Sequence, residues 1–152
     1  MASYTLATLN TAIETTLATA TGITRSQDLS EISESIPVAD MPLLMVYPQT
    51  WTPQETDTAK NTFGGSGTAI HYKVFTFRVD IYIAHISKVA QAITSSVTVA
   101  QAINDVLDAQ QNKPLFGDSA IQNFRWSANR LALEYSNQIY AGLRYELELD
   151  VF

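Results

Sequence analysis

The chain has 152 residues, of which 46% are hydrophobic and only 16% are charged, against a usual charged share of about 25%. These values exclude an intrinsically disordered chain and predict one globular domain over residues 1–152. Nine Lys and Arg against 15 Asp and Glu give a net charge of -6, which does not provide the basic surface that nucleic-acid binding needs, and the absence of cysteine excludes disulfides and thiolate metal sites.

The N-terminal segment predicts a helix, because apolar residues recur at steps of three or four over Leu6–Leu17. Ser3 is a candidate N-cap for this helix. Residues 23–40 have a weaker pattern, which indicates a connecting segment with one helical turn. The apolar run 43–47 lies between Pro42 and Pro48 and predicts the first, buried strand.

A long loop is predicted at residues 48–68, where proline, glycine and threonine are frequent. Trp51 and Phe63 are isolated large apolar side chains in this segment, and loops of such length are often functional. We interpret Trp51 and Phe63 as candidates for docking onto a partner, and a flexible hairpin tip is the alternative.

The second half of the chain has clearer periodicity. Apolar and polar residues alternate over 75–83, which predicts a long strand with one buried face. Helical spacing over residues 88–111 predicts the major helix. Its apolar stripe consists of Val89, Ile93, Val97, Ala100, Ile103 and Leu107. A further strand near 124–135, a turn at 136–138 and a last strand from 143 onward complete the series.

These elements predict an α+β fold, namely a two-layer sandwich in which an antiparallel four-stranded sheet packs against two helices in the order α-β-β-α-β-β. The uncharged run Val89–Asn104 is interrupted by Gln, Ser and Thr, so it does not predict a membrane span. We therefore expect a soluble protein without a membrane partner.

Charged residues occupy the polar positions of two predicted strands. They are Arg78, Asp80, Arg144, Glu146, Glu148 and Asp150. A solvent-exposed face is the first interpretation, a contact between subunits the second, and catalysis by a carboxylate pair the third. His71 and His85 bracket one strand and lie too far apart to share a metal ion, so no metal or cofactor is expected.

The order of elements resembles the tail-terminator, or tail-completion, proteins of long-tailed bacteriophages. The segments that carry the resemblance are Leu6–Leu17, Met41–Pro48, Tyr72–Ile83, Ala102–Leu107, and Tyr140–Leu143 leading into Tyr145–Phe152. The resemblance covers most of the chain in pattern and length rather than in a fixed motif. The long segments at 23–40 and 48–68 depart from it.

The resemblance implies a structural virion protein rather than an enzyme. It implies a homohexameric ring at the head-proximal end of the tail, assembled in the host cytoplasm, which stops growth of the tail tube. Its partners would be further copies of itself, the tail tube protein and the head-tail connector or neck protein. DNA would pass through the ring without specific binding, and the acidic strand face would line the passage or a subunit boundary. Alternatives are a head-completion or neck adaptor protein and, from a different class, a small carboxylate-dependent hydrolase.

Overall fold

Two α-helices and five strands are present in the part of the chain that the computed structural model describes, which is residues 5–27, 36–54, 72–112 and 114–151. The α+β class predicted from the sequence is confirmed. The helices are α1 (Leu6–Leu17) and α2 (Val89–Asp108), and the strands are β1 (Arg25–Gln27), β2 (Leu43–Gln54), β3 (Tyr72–His85), β4 (Ile121–Tyr135) and β5 (Gln138–Val151). Single 3₁₀ turns lie at Val38–Asp40, Ile86–Lys88 and Leu115–Gly117.

The five strands form one mixed sheet in the order β1-β2-β3-β5-β4. The predicted four antiparallel strands are present as β2 to β5, but β1 adds a fifth strand that lies parallel to β2. The predicted element order is therefore wrong at this point. Strand β1 has only three residues and no hydrophobic alternation, and its conformation depends on pairing with Leu43–Met45, so local periodicity cannot reveal it.

The predicted loop at 48–68 begins too early, because β2 continues to Gln54 and pairs with β3 over that length. Pro48 lies at a register shift in this pairing, and prolines are tolerated at irregularities and on edge strands. Trp51 lies directly opposite Phe75 and is therefore part of a strand. The later part of the predicted loop, including Phe63, lies outside the described residues.

Both helices begin and end close to the predicted positions, but the start of α1 differs in its cap. Thr5 is the N-cap, and its hydroxyl accepts a hydrogen bond from the Thr8 backbone N–H at 3.1 Å. The Thr8 hydroxyl in turn accepts from the Thr5 N–H at 2.9 Å, which completes a capping box. The predicted N-cap, Ser3, lies outside the described residues.

The sheet face that the helices cover, which we call the inner face, carries the main hydrophobic core. Leu9, Ile13 and Leu17 of α1 pack there, and α2 contributes Ile103 and Leu107. The strand residues of this core are mainly those of the alternating pattern and include Phe75, Phe77, Val79, Ile81, Leu143, Tyr145, Leu147 and Leu149. The inner face thus forms as the period-two pattern predicts.

The buried stripe of α2 agrees with the predicted one at Ile103 and Leu107 but differs from it in the first half of the helix. Ile93 and Val97 are 45% and 63% exposed, whereas Ala92, Ser96 and Val99 are buried. Between Val89 and Asn104, where the helix carries no charged residue, two stripes have similar spacing, and the helix turns the one with smaller side chains toward the sheet. The two large side chains are therefore left at the surface.

The opposite side of the sheet, which we call the open face, has no helix packed on it among the described residues. One end of the open face carries a second apolar cluster of Ile36, Leu43, Met45, Tyr82, Leu133 and Tyr140. The Tyr82 ring packs edge-on against Tyr135 and Tyr140, with centroid distances of 5.7 and 5.6 Å. The rest of the open face is polar and carries the candidate site.

Strands β4 and β5 form a hairpin with a two-residue turn, close to the predicted position. Ser136 and Asn137 have φ angles of 49° and 63°, as a type I′ turn requires.

Further along β5, Gly142 lies beneath the Leu133 side chain. A Cβ atom at this glycine would lie 2.5 Å from the Ile81 carbonyl oxygen and 2.5 Å from Leu133 Cδ1. Only glycine fits this position without displacement of neighbouring atoms.

Candidate functional site: the charged band of the open face

All six charged residues that the sequence analysis selects lie on β3 and β5, and the structure brings them together on the open face. A seventh residue, Arg125 of β4, joins them. We call this set the charged band, and its members are Arg78, Asp80, Arg125, Arg144, Glu146, Glu148 and Asp150. The period-two side-chain pattern of adjacent antiparallel strands places them on one surface.

Asp80 is the buried centre of the charged band, with only 1% of its surface exposed. Arg144 lies directly opposite on β5, where its Nε donates to Asp80 Oδ1 at 2.8 Å and its Nη2 donates to Oδ2 at 3.2 Å. This hydrogen bonding raises the pKa of the Arg144 guanidinium above its ordinary value. The interpretation of Asp80 as a solvated surface residue is therefore wrong, because neighbouring side chains cover it.

Arg78 provides a second cation for the same carboxylate, with its Nε 3.3 Å from Asp80 Oδ2. The Arg78 guanidinium also lies over the Tyr47 ring, 5.2 Å from the centroid, in a cation–π arrangement. Burial raises the pKa of the Tyr47 phenol, so this ring stays neutral beside the cation. Two arginines and an aromatic ring thus surround one buried carboxylate.

The other end of the charged band is more exposed. Arg125 forms an ion pair with Glu148 and a second one with Asp150 at 3.4 Å. These contacts raise the pKa of Arg125, and hydrogen bonding to Glu148 is the larger cause. Glu146 is exposed and lies directly across from Arg78 in the β3–β5 register.

Arg125 is the residue of this site that the sequence analysis missed. It stands between Phe124 and Trp126, and these three residues alternate in polarity as a half-buried strand does. That short pattern could have identified Arg125. Its pairing with Glu148 depends on the β4–β5 register, which begins at the turn.

The electrostatics of the charged band differ from those of the acidic face expected from β5 alone. Three arginines against four carboxylates leave one formal negative charge. Each arginine of the band lies in an ion pair with at least one carboxylate. The open face is therefore close to neutral, and its cations are already paired.

Three of the four carboxylates of the charged band lie in ion pairs with arginines, whereas Glu146 is exposed. Asp80 is bound by Arg144 and Arg78, and Glu148 and Asp150 are bound by Arg125. A cavity of about 220 Å³ lies between α2 and the inner face of β4, and its described lining residues include no carboxylate. Among the described residues, no group of three or more His, Asp or Glu is arranged to hold a metal ion.

No helix in the described part of the chain is long and apolar enough to cross a membrane. The sequence matches no protein-family model, and no curated relative is found for it.

Proposed function

We propose that this chain is a structural virion protein, a tail terminator whose ring caps the tail tube and joins it to the head connector. The charged band is the observation that carries the proposal. It places a compact set of paired charges on a sheet face that no described helix covers, while both helices pack against the core on the opposite face.

The charge balance of the band suits a wall past which DNA moves. Phosphate binding depends on cations that can replace the counterions of the nucleic acid. In the charged band, Arg78, Arg125 and Arg144 are each occupied by a carboxylate of the same chain. A lumen lined by such a surface would be hydrated and would not retain the phosphate backbone.

A terminator also needs surfaces that become buried on assembly. Ile93 and Val97 are large apolar side chains at the surface of a helix with no charged residue between Val89 and Asn104. Charged residues are depleted in the centres of protein interfaces, and exposed apolar patches mark contact sites. The surface of α2 therefore favours an assembly subunit over a free monomer.

Electron microscopy of the purified protein with isolated tail tubes tests the proposal. We expect rings with an open centre, bound at one end of the tube. Particles assembled without the protein should have tails of excess length. Headed particles without tails that leak DNA would instead indicate a neck adaptor, and a protein that stays monomeric and does not bind tubes would contradict both assignments.

A further inference from the structure

Strand β4 is an open edge of the sheet, because no described strand pairs with its outer side. Tyr135 and Gln138 close the two-residue turn, and such a closing pair exchanges hydrogen bonds within the hairpin. Hydrogen-bonded and non-hydrogen-bonded residue pairs alternate along an antiparallel hairpin. The backbone N–H and C=O groups that point away from β5 are therefore those of Glu134, Ala132 and Arg130. This part of β4 is ready to pair with another strand.

The opposite side of the sheet is less suitable for strand pairing. Beyond Met45, no described strand lies on the outer side of β2, and this stretch contains Pro48 and Pro53. Proline cannot donate a backbone hydrogen bond, and its presence on an edge discourages pairing. Strand β4 contains no proline from Ile121 to Tyr135, so it lacks this protection.

The surroundings of the β4 edge are apolar. Ile86, Ile93 and Ile139 are exposed by 37%, 45% and 48%. Ile86 and Ile93 line the cavity of about 220 Å³ together with Ala132 and Arg130, and Ile139 lies opposite Glu134 in the hairpin. A strand added to β4 would place side chains over this cavity and shield its apolar wall from water.

We propose that the occupant of this edge is a second copy of the chain, paired antiparallel through β4 about a two-fold axis at Ala132. The axis places Arg130 opposite Glu134 of the partner subunit, and the same contact recurs on the other side of the axis. Both side chains are exposed in the single chain, and opposite charges that face each other across strands are stabilising. The small Ala132 side chains meet at the centre without crowding.

The charged side chains of β4 favour this pairing register over the registers with a neighbouring axis. An axis at Arg130 would place two arginines directly opposite each other, which is destabilising. An axis at Ala128 would place Arg130 against Trp126 of the partner subunit and leave Glu134 without an opposite charge. The Ala132 axis alone satisfies both charged residues beside the apolar cavity.

This dimer does not rest on the proposed function. A two-fold contact uses the same surface on both copies and closes on itself, so it neither requires a ring nor generates one. The inference concerns the protein in solution, and its tests report on the β4 contact whether or not tail tubes are bound.

Cysteine cross-linking tests the axis directly, because the chain has no native cysteine. Ala132→Cys should give a disulfide-linked dimer under mild oxidation, since paired Cα atoms in antiparallel strands lie about 5.5 Å apart. Ala128→Cys is the matched control on the same strand and face. In the proposed dimer the Cα atoms of the two residues 128 would lie about 27 Å apart, so this variant should remain reduced. Equal cross-linking of both variants, or cross-linking of Ala128→Cys alone, would overturn the inference.

Charge exchange tests the register. Sedimentation of the unmodified chain should show a dimer, and Arg130→Glu should raise the dissociation constant roughly tenfold or more, because two attractive contacts become repulsive. The double variant Arg130→Glu with Glu134→Arg restores opposite charges and should recover dimerisation. A native chain that stays monomeric, or a double variant no better than the single one, would refute the proposal.

Discussion

Arg144 binds both carboxylate oxygens of Asp80 from the adjacent strand, and the two residues face each other directly in the β3–β5 register. The pair joins the two central strands of the charged band through side chains as well as backbone. Asp80 is almost inaccessible, whereas the side chains of Arg144 and Arg78 remain 31% and 35% exposed. The carboxylate is therefore the member that depends on its partners, because water can reach the two guanidinium groups but not Asp80.

Asp80→Asn should lower the free energy of unfolding by about 1–3 kcal/mol, because the amide removes the negative charge and directs N–H groups toward two guanidinium groups. Urea denaturation followed by circular dichroism measures the change. Glu146→Gln is the matched control, since Glu146 is exposed on the same face and should change stability by no more than about 0.5 kcal/mol. Similar losses for the two variants would show that Asp80 is not the centre of the site.

The two faces of α2 should respond differently to substitution. Ile103→Ala removes a buried side chain and should cost about 2–5 kcal/mol. Val97→Ser, at a position 63% exposed, should change the stability of the isolated chain by less than about 0.5 kcal/mol. Thermal denaturation at low protein concentration compares them. A large loss for Val97→Ser at that concentration would contradict the observed orientation of the helix.

Gly142→Ala should destabilise the protein by about 1–3 kcal/mol, because the added methyl group would meet the Ile81 carbonyl oxygen and Leu133 Cδ1. The double variant Gly142→Ala with Leu133→Ala separates the two contacts. We expect no recovery in the double variant, since the backbone oxygen remains and the Leu133 contacts are lost. Denaturant unfolding of the single and double variants gives the comparison, and full recovery would show that only the Leu133 side chain matters.

Stability should fall at alkaline pH through the phenol of Tyr145. Burial raises its pKa from 10.0 to about 12, while its hydroxyl donates to Asn104 Oδ1 at 2.8 Å. The unfolded chain loses this proton first, so the contribution to stability is complete below pH 10 and disappears as the pH approaches 12. Tyr145→Phe should weaken the dependence on pH over that interval. Unfolding curves at several pH values measure it, and an unchanged slope would contradict the assignment.

The sign of the net charge of the charged band can be inverted by substitutions that leave the buried Asp80 unchanged. Glu146→Lys with Glu148→Lys changes the formal charge of the band from one negative to three positive, and DNA should then bind with strong salt dependence. Asp105→Lys with Asp108→Lys makes the same change on exposed positions of α2 and serves as the control. Electrophoretic mobility shifts at two salt concentrations distinguish them. Equal DNA binding by both double variants would show that net charge, rather than the charged band, is responsible.

Hydrophobic alternation predicts much of this fold because one face of each long strand is buried. The pattern over 75–83 and the last strand correspond to β3 and β5, and both helices lie near their predicted bounds. The polar strand β1 and the continuation of β2 past Pro48 are not predicted, since both depend on backbone pairing with a distant segment. Local sequence carries little information about such pairing.

The candidate site was partly predictable for the same reason. Alternation places Arg78 and Asp80 on one face, but it does not distinguish an exposed carboxylate from one that neighbouring strands bury. Burial of Asp80 follows from the register that sets Arg144 opposite it. The orientation of the first half of α2 was also undetermined, because two apolar stripes there differ mainly in the size of their side chains.

The short turn between β4 and β5 has a consequence for the order of folding. Ser136 and Asn137 close the hairpin over very little chain, whereas β3 can meet β5 only after α2 and β4 have been brought into place. Loop closure is least costly for local pairs, and β-hairpins form in about 1–10 μs. We expect the β4–β5 hairpin to form early and β3 to pair with it afterwards. Substitutions at Ser136 or Asn137 should therefore slow folding more than they speed unfolding.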